Sequence, residues 1–265
     1  MASRVPGVFT TGNREIEISR QSIYEVSSVQ YHELGTRLHL GDRIFRYASN
    51  STAAAITPGS MTSGPASTVN THTNISVTTA AIVGQNYVDV TLGAAAVTAN
   101  QYAGGYIWFN DGATTIGQGC CYKIKGHDAN AGSLTLRVNL YDGLATPLTA
   151  TTSKATLYTN AWNGVVVHPA TGGTILNRPT GVPLVLFTAS TATTTYYAWL
   201  QTGGFCPLFM GATYTIGGGV SADDAASGGF GLTPTTGVPT MLWGVLCQIG
   251  SAAEHPSMVW LYLDM

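Results

Sequence analysis

Short apolar segments recur along this chain, and turn signals separate many of them: Asn110-Asp111-Gly112, Asp142-Gly143, Asn163-Gly164 and Gly217-Gly218-Gly219. Asn-Gly and Asp-Gly supply the positive backbone φ that tight hairpin turns need. The pattern predicts strands at 75–78, 87–92, 105–109, 120–126, 134–140, 154–158, 165–168, 183–188, 195–201, 205–210, 214–216, 240–249 and 257–263. One helical turn is expected at 94–101. Many short strands with almost no helical periodicity imply an all-β chain, an antiparallel sandwich or barrel of jelly-roll-like character.

Composition agrees with that class. Only 9% of the 265 residues are charged while 45% are hydrophobic, and disorder requires the opposite balance. Thr, Val, Tyr and Ile suit a pleated, half-buried surface. A net charge of −2 argues against nucleic acid as a direct partner, because phosphate recognition needs clustered Lys and Arg. Uncharged surface fits protein–protein contact, where interface cores are depleted in charge; it also fits lectins and adhesins. No apolar run has the length of a membrane span, and residues 1–10 lack a signal-peptide core. Synthesis in a bacterial cytoplasm is the expectation.

Charge is concentrated at one end. Residues 1–46 hold eleven charged side chains, of 11 basic and 13 acidic in the whole chain. Periodicity there is poor. Residues 1–40 are therefore expected to form an extended N-terminal arm, with a short strand at 15–18. Arg4, Arg14, Arg20, Arg37 and Arg43 are candidates for its contacts. A β-rich body follows over 41–265, opening with a strand at 42–47. Its division into two β subdomains near 147–163 stays open as an alternative to a single domain. Segments 49–74 and 217–237 have loop chemistry.

Motifs that carry chemistry are missing. Ser221 lies in Gly219-Val-Ser-Ala-Asp223, which lacks the second glycine of a nucleophile elbow. There is no HExxH helix and no phosphate-binding loop, and Gly203-Gly204 reads as a backbone turn. Asp223 and Asp224 are adjacent, so on a strand they would face opposite ways. Asp89, Asp111, Asp128, Asp142 and His127 read as turn residues. Cys120, Cys121, Cys206 and Cys247 have no CxxC spacing and read as small buried hydrophobes. Aromatics cluster at Tyr102, Tyr106, Trp108 and Phe109 and at Tyr196, Tyr197 and Trp199. They fit a core or subunit interface, or a sugar-stacking face. No residue is assigned a catalytic, cofactor-binding or metal-binding role, and an enzyme is not expected.

Several stretches carry a resemblance: ELGT at 33–36 leading to Phe45-Arg46-Tyr47, ANQYAGG at 99–105, GQGCCYKIKG at 117–126, SKATLYTNAWNGVVVHP at 153–169 and YAWLQTG at 197–203. Together they resemble decoration or cement proteins of tailed-bacteriophage capsids, over roughly residues 33–265. The resemblance implies a structural virion protein on the capsid exterior that binds the major capsid protein and itself as a homo-oligomer, a trimer by preference. Such a protein has no cofactor and no catalytic residues. The alternatives are a tail, head-fibre or baseplate protein, or a carbohydrate-binding adhesin module.

Overall fold

The computed structural model describes residues 9–10, 15–16, 20–65, 70–111, 117, 119–169, 178–210, 216–222, 228–232, 242–250 and 255–264. The chain is all-β, 45% strand, with antiparallel sheets forming a half-barrel and a nearly closed barrel. The strands begin with Phe9–Thr10 (β1), Glu15–Ile16 (β2), Arg37–Leu40 (β3), Arg43–Ser49 (β4) and Thr62–Ser63 (β5). Next come Ile75–Ser76 (β6), Tyr87–Thr91 (β7), Tyr106–Asp111 (β8), Cys121–Gly126 (β9), Thr135–Leu140 (β10) and Ser153–Tyr158 (β11). The last are Val166–Val167 (β12), Pro179–Pro183 (β13), Tyr197–Phe209 (β14), Gly219–Ala222 (β15), Phe230–Leu232 (β16), Gly244–Gln248 (β17) and Pro256–Tyr262 (β18).

Two compact units divide the chain. One comprises residues 1–62, 164–173 and 179–265; the other comprises 63–163 and 174–178. The chain thus leaves the first unit after Thr62 and re-enters it at Gly164.

The second unit is a six-stranded sheet in the order β6-β11-β8-β9-β10-β7. A bridge between Val77 and Val90 joins its first and last strands. This near-closure leaves less of the exposed edge that otherwise invites aggregation. Its strands alternate as a barrel wall must: β10 buries Leu136, Val138 and Leu140 and exposes the residues between them. Val88, Val90, Ile107, Phe109, Ile124 and Leu157 join them inside. Burying each such side chain contributes about 1.5–3 kcal/mol.

The first unit is built along β14, a strand of 13 residues. β4 pairs along Tyr197–Gly203, and β18 pairs along Gly203–Phe209. β14 continues through both segments expected as separate strands, and the register shifts against β4 between Gln201 and Gly203. Thr202 is the extra residue of that bulge, and Gly203-Gly204 continues the strand in regular register with β18, so the pair is not a turn. Gly204 holds φ +79°, and a Cβ there would overlap the Asp42 carbonyl oxygen. Gly204→Ala is expected to destabilise the chain by at least ~3 kcal/mol, combining left-handed strain with overpacking; the urea midpoint measures it.

Of the expected arm, residues 20–40 pack on this unit. Gln21 is buried; its Nε2 donates to the Tyr197 carbonyl (2.8 Å), its carbonyl accepts from Trp199 Nε1 (3.1 Å) and its Oε1 accepts from the Tyr47 hydroxyl (2.7 Å). Burial pushes that hydroxyl up to about 12, which keeps it a donor. Leu34, Leu38 and Leu40 pack against Phe45, Tyr47 and Trp199. The anticipated boundary at residue 40 thus falls at the end of sheet strand β3.

Other expectations change too. Residues 94–101 form bends and turns rather than a helical turn, held by the Val97–Asn130 bridge. The strand at 183–188 is displaced to β13. The loop segments contain β5 and the β15–β16 hairpin, and Ile56 and Met61 in the first of them are fully buried. Asn110 and Asp111 end β8.

Candidate functional site

Three neighbouring strands of the first unit, β14, β18 and β17, contain no charged residue. Alternation sends one set of their side chains inward. Cys206 and Leu208 from β14, Val259 and Leu261 from β18 and Leu246 from β17 pack there with Met61, Val182 and Trp243. Burial pushes the Cys206 thiol far up, so it stays protonated.

The opposite set faces outward, and it is apolar as well. Phe205 lies opposite Trp260, and Trp260 opposite Val245; one step along, Pro207 lies opposite Met258. Phe205 is 45% exposed and Met258 37%. The Phe205 and Trp260 rings meet edge to face, with centroids 4.6 Å apart and planes at 86°, the favoured aromatic geometry. Isolated exposed apolar residues are ordinary, but a contiguous apolar patch on an ordered sheet marks an interaction site. Chemically this face can desolvate against a complementary surface.

The residues singled out in the sequence fall elsewhere. Arg4 and Arg14 lie outside the described residues, and Arg20 is exposed. Arg37 Nη2 donates to the Asp264 carbonyl (3.1 Å), and Arg46 forks onto the Asp264 carboxylate while donating to the Gly35 carbonyl (2.7 Å). Arg43 lies over the Phe45 ring, 5.5 Å from its centroid. Arg37 and Arg46 thereby tie β3 and β4 to Asp264, just past β18. Deleting residues 1–40 would therefore remove β3 and the Gln21 contacts; a truncation ending at Ser19 spares both.

Trp199, Tyr102 and Phe109 are core, whereas Tyr106 is 47% exposed. Ser221 is buried in β15, and Asp223 and Asp224 lie outside the described residues. Asp89 sits in β7 and pairs with Arg137 at 2.8 Å instead of forming a turn. His127 is buried rather than solvated: its Nε2 accepts from the Tyr102 amide (3.1 Å) and its Nδ1 donates to the Asp128 carbonyl (2.9 Å). Of the cysteines only Cys206 is buried, and Cys121 is exposed.

The outward apolar face went unnoticed in the sequence. Its signal was the lack of polar alternation in Phe205–Phe209 and Pro256–Tyr262. No family model, no curated protein and no solved structure matches this chain.

Proposed function

We propose that this protein is a non-enzymatic structural subunit that binds the outer surface of a bacteriophage capsid through its exposed sheet face and stabilises the shell as a decoration or cement protein. The observation that carries the reading is the uncharged outward face around Phe205 and Trp260. Trp is enriched among the few residues that dominate interface energies, and interface cores are poor in charge. The motif resemblance supplies the identity of the partner, the major capsid protein, and a homo-oligomeric state. A subunit that binds the assembled shell and not its dissociated parts stabilises the assembly by mass action.

Co-sedimentation tests it. Purified protein mixed with capsid shells stripped of it should pellet with the shells at a saturating ratio set by the lattice, and should leave unassembled capsid protein unbound. Protein that stays in the supernatant at micromolar concentration contradicts the reading.

A further inference from the structure

The outer wall of the barrel carries an aromatic row beside a polar groove, and neither belongs to the face described above. Tyr158 lies opposite Tyr106, and Tyr106 opposite Lys123. The Tyr141 amide donates to the Lys123 carbonyl (3.1 Å), and the Lys123 ammonium sits 5.3 Å from the Tyr141 ring centroid. Tyr106 and Tyr141 are 47% and 46% exposed. Two residues further along β9 and back along β10, on the same outward side, stand Lys125 and Asn139. The register there shifts: Gly126 pairs with Asn139 and Ile124 with Leu140. Lys125 is thus the extra residue of a bulge, a device that re-aims side chains beside functional sites.

At this bulge opens a groove of 370 Å³ lined by Asn86, Asn100, Lys125, His127, Asp128 and Asn139. Its floor is fixed. The His127 amide donates to Asn100 Oδ1 (3.1 Å), the Asn100 amide donates to the His127 carbonyl (2.9 Å), and both His127 ring nitrogens are engaged. The side chains of Asn86, Lys125 and Asn139 make no hydrogen bond among the described residues. The groove therefore offers free donors and acceptors on a rigid base.

We propose that this wall binds a neutral saccharide, one sugar ring stacking on Tyr106 while its hydroxyls bond to Asn86, Lys125, Asp128 and Asn139. Sugar hydroxyls both donate and accept, which matches carboxamides, an ammonium and a carboxylate together. The apolar face of the sugar matches exposed tyrosines, which are apolar in body and polar at the tip. Phosphate fits poorly, because Asp128 stands beside Lys125 and opposes a second anion. The volume lies within the range of small-ligand sites. The inference does not depend on the capsid reading.

The experiment follows amide chemical shifts of the full-length protein during titration with methyl glycosides of glucose, galactose, N-acetylglucosamine and rhamnose, with inorganic phosphate as the charged comparator. At least one glycoside should saturate with Kd in the range of about 0.1–10 mM and shift Lys125, Gly126, His127, Asn139 and Tyr141. Asn139→Ala and Tyr106→Ala, both at exposed positions, should each weaken that binding about tenfold or more, the loss of roughly one good contact, without altering the remaining spectrum. No response to any glycoside up to ~20 mM, about twice the weakest Kd expected, overturns the proposal. Shifts confined to another region, affinity unchanged in both variants, or tighter binding of phosphate at these residues overturn it equally.

Discussion

Trp260→Asp is expected to reduce shell binding by at least ~100-fold while the protein remains folded. Trp260 is half-buried on the outward side of β18, edge to face with Phe205 and opposite Val245. Removing a central interface tryptophan typically costs about 2–4 kcal/mol, and each ~1.4 kcal/mol is tenfold in affinity. The aspartate adds the cost of desolvating a carboxylate against an apolar partner. Folding is spared because the inward set of Val259, Leu261, Cys206 and Leu208 is untouched; the lost ring pair is worth only about 0.5–1.5 kcal/mol. Circular dichroism checks the fold and co-sedimentation the binding. A folded variant that binds shells as the parent does would remove this face from the account.

Acidification is expected to destabilise the chain, with His168 as a main cause. His168 is 2% exposed, lies edge-on to Trp243 with ring centroids 4.9 Å apart, and burial lowers its pKa from 6.5 to about 4. The neutral ring is therefore favoured in the folded state, and between pH 6.5 and 4 the unfolded chain binds more protons. Stability from this group is complete above pH 6.5 and falls as pH drops toward 4. The loss approaches about 2–3 kcal/mol, taking ~1.4 kcal/mol per pKa unit and discounting for solvent screening. Burial also lowers His127 and His32, and both act in the same direction. Urea midpoints at pH 7 and pH 4.5 should differ more in the parent than in His168→Gln. Equal differences in the two proteins would exclude His168 as the cause.

The barrel was the most legible part of the fold. In segments such as Thr135–Leu140 and Tyr87–Thr91 one face is buried and the other wet, so period two is written in the residues themselves. The first unit was harder to read. β14 is buried on both sides over Ala198–Gly204, so apolar character there gives no facing information, and the Gly203-Gly204 pair inside the strand looks like a break. Residues 20–40 show no periodicity of their own because their apolar residues serve a core completed by Tyr47 and Trp199, far along the chain. The roles of Arg37 and Arg46 depend on Asp264 at the other end of the sequence. The outward apolar face was only partly legible: uncharged composition fits protein contact as it fits lectins and adhesins, and which side of which strands lies bare depends on how β14, β17 and β18 pair. The saccharide wall was foreshadowed only by the aromatic cluster around Tyr106; the groove beside it depends on the β9–β10 register.

On the proposed function, the Phe205–Trp260 face seats this protein on a capsid lattice, and cryo-electron microscopy of the native particle is the decisive experiment. Density for this chain is expected to repeat over the outer lattice, with β14, β17 and β18 turned toward the major capsid protein or a neighbouring copy. Density confined to the tail or a single vertex, or a lattice position that leaves Phe205 and Trp260 facing solvent, would contradict it.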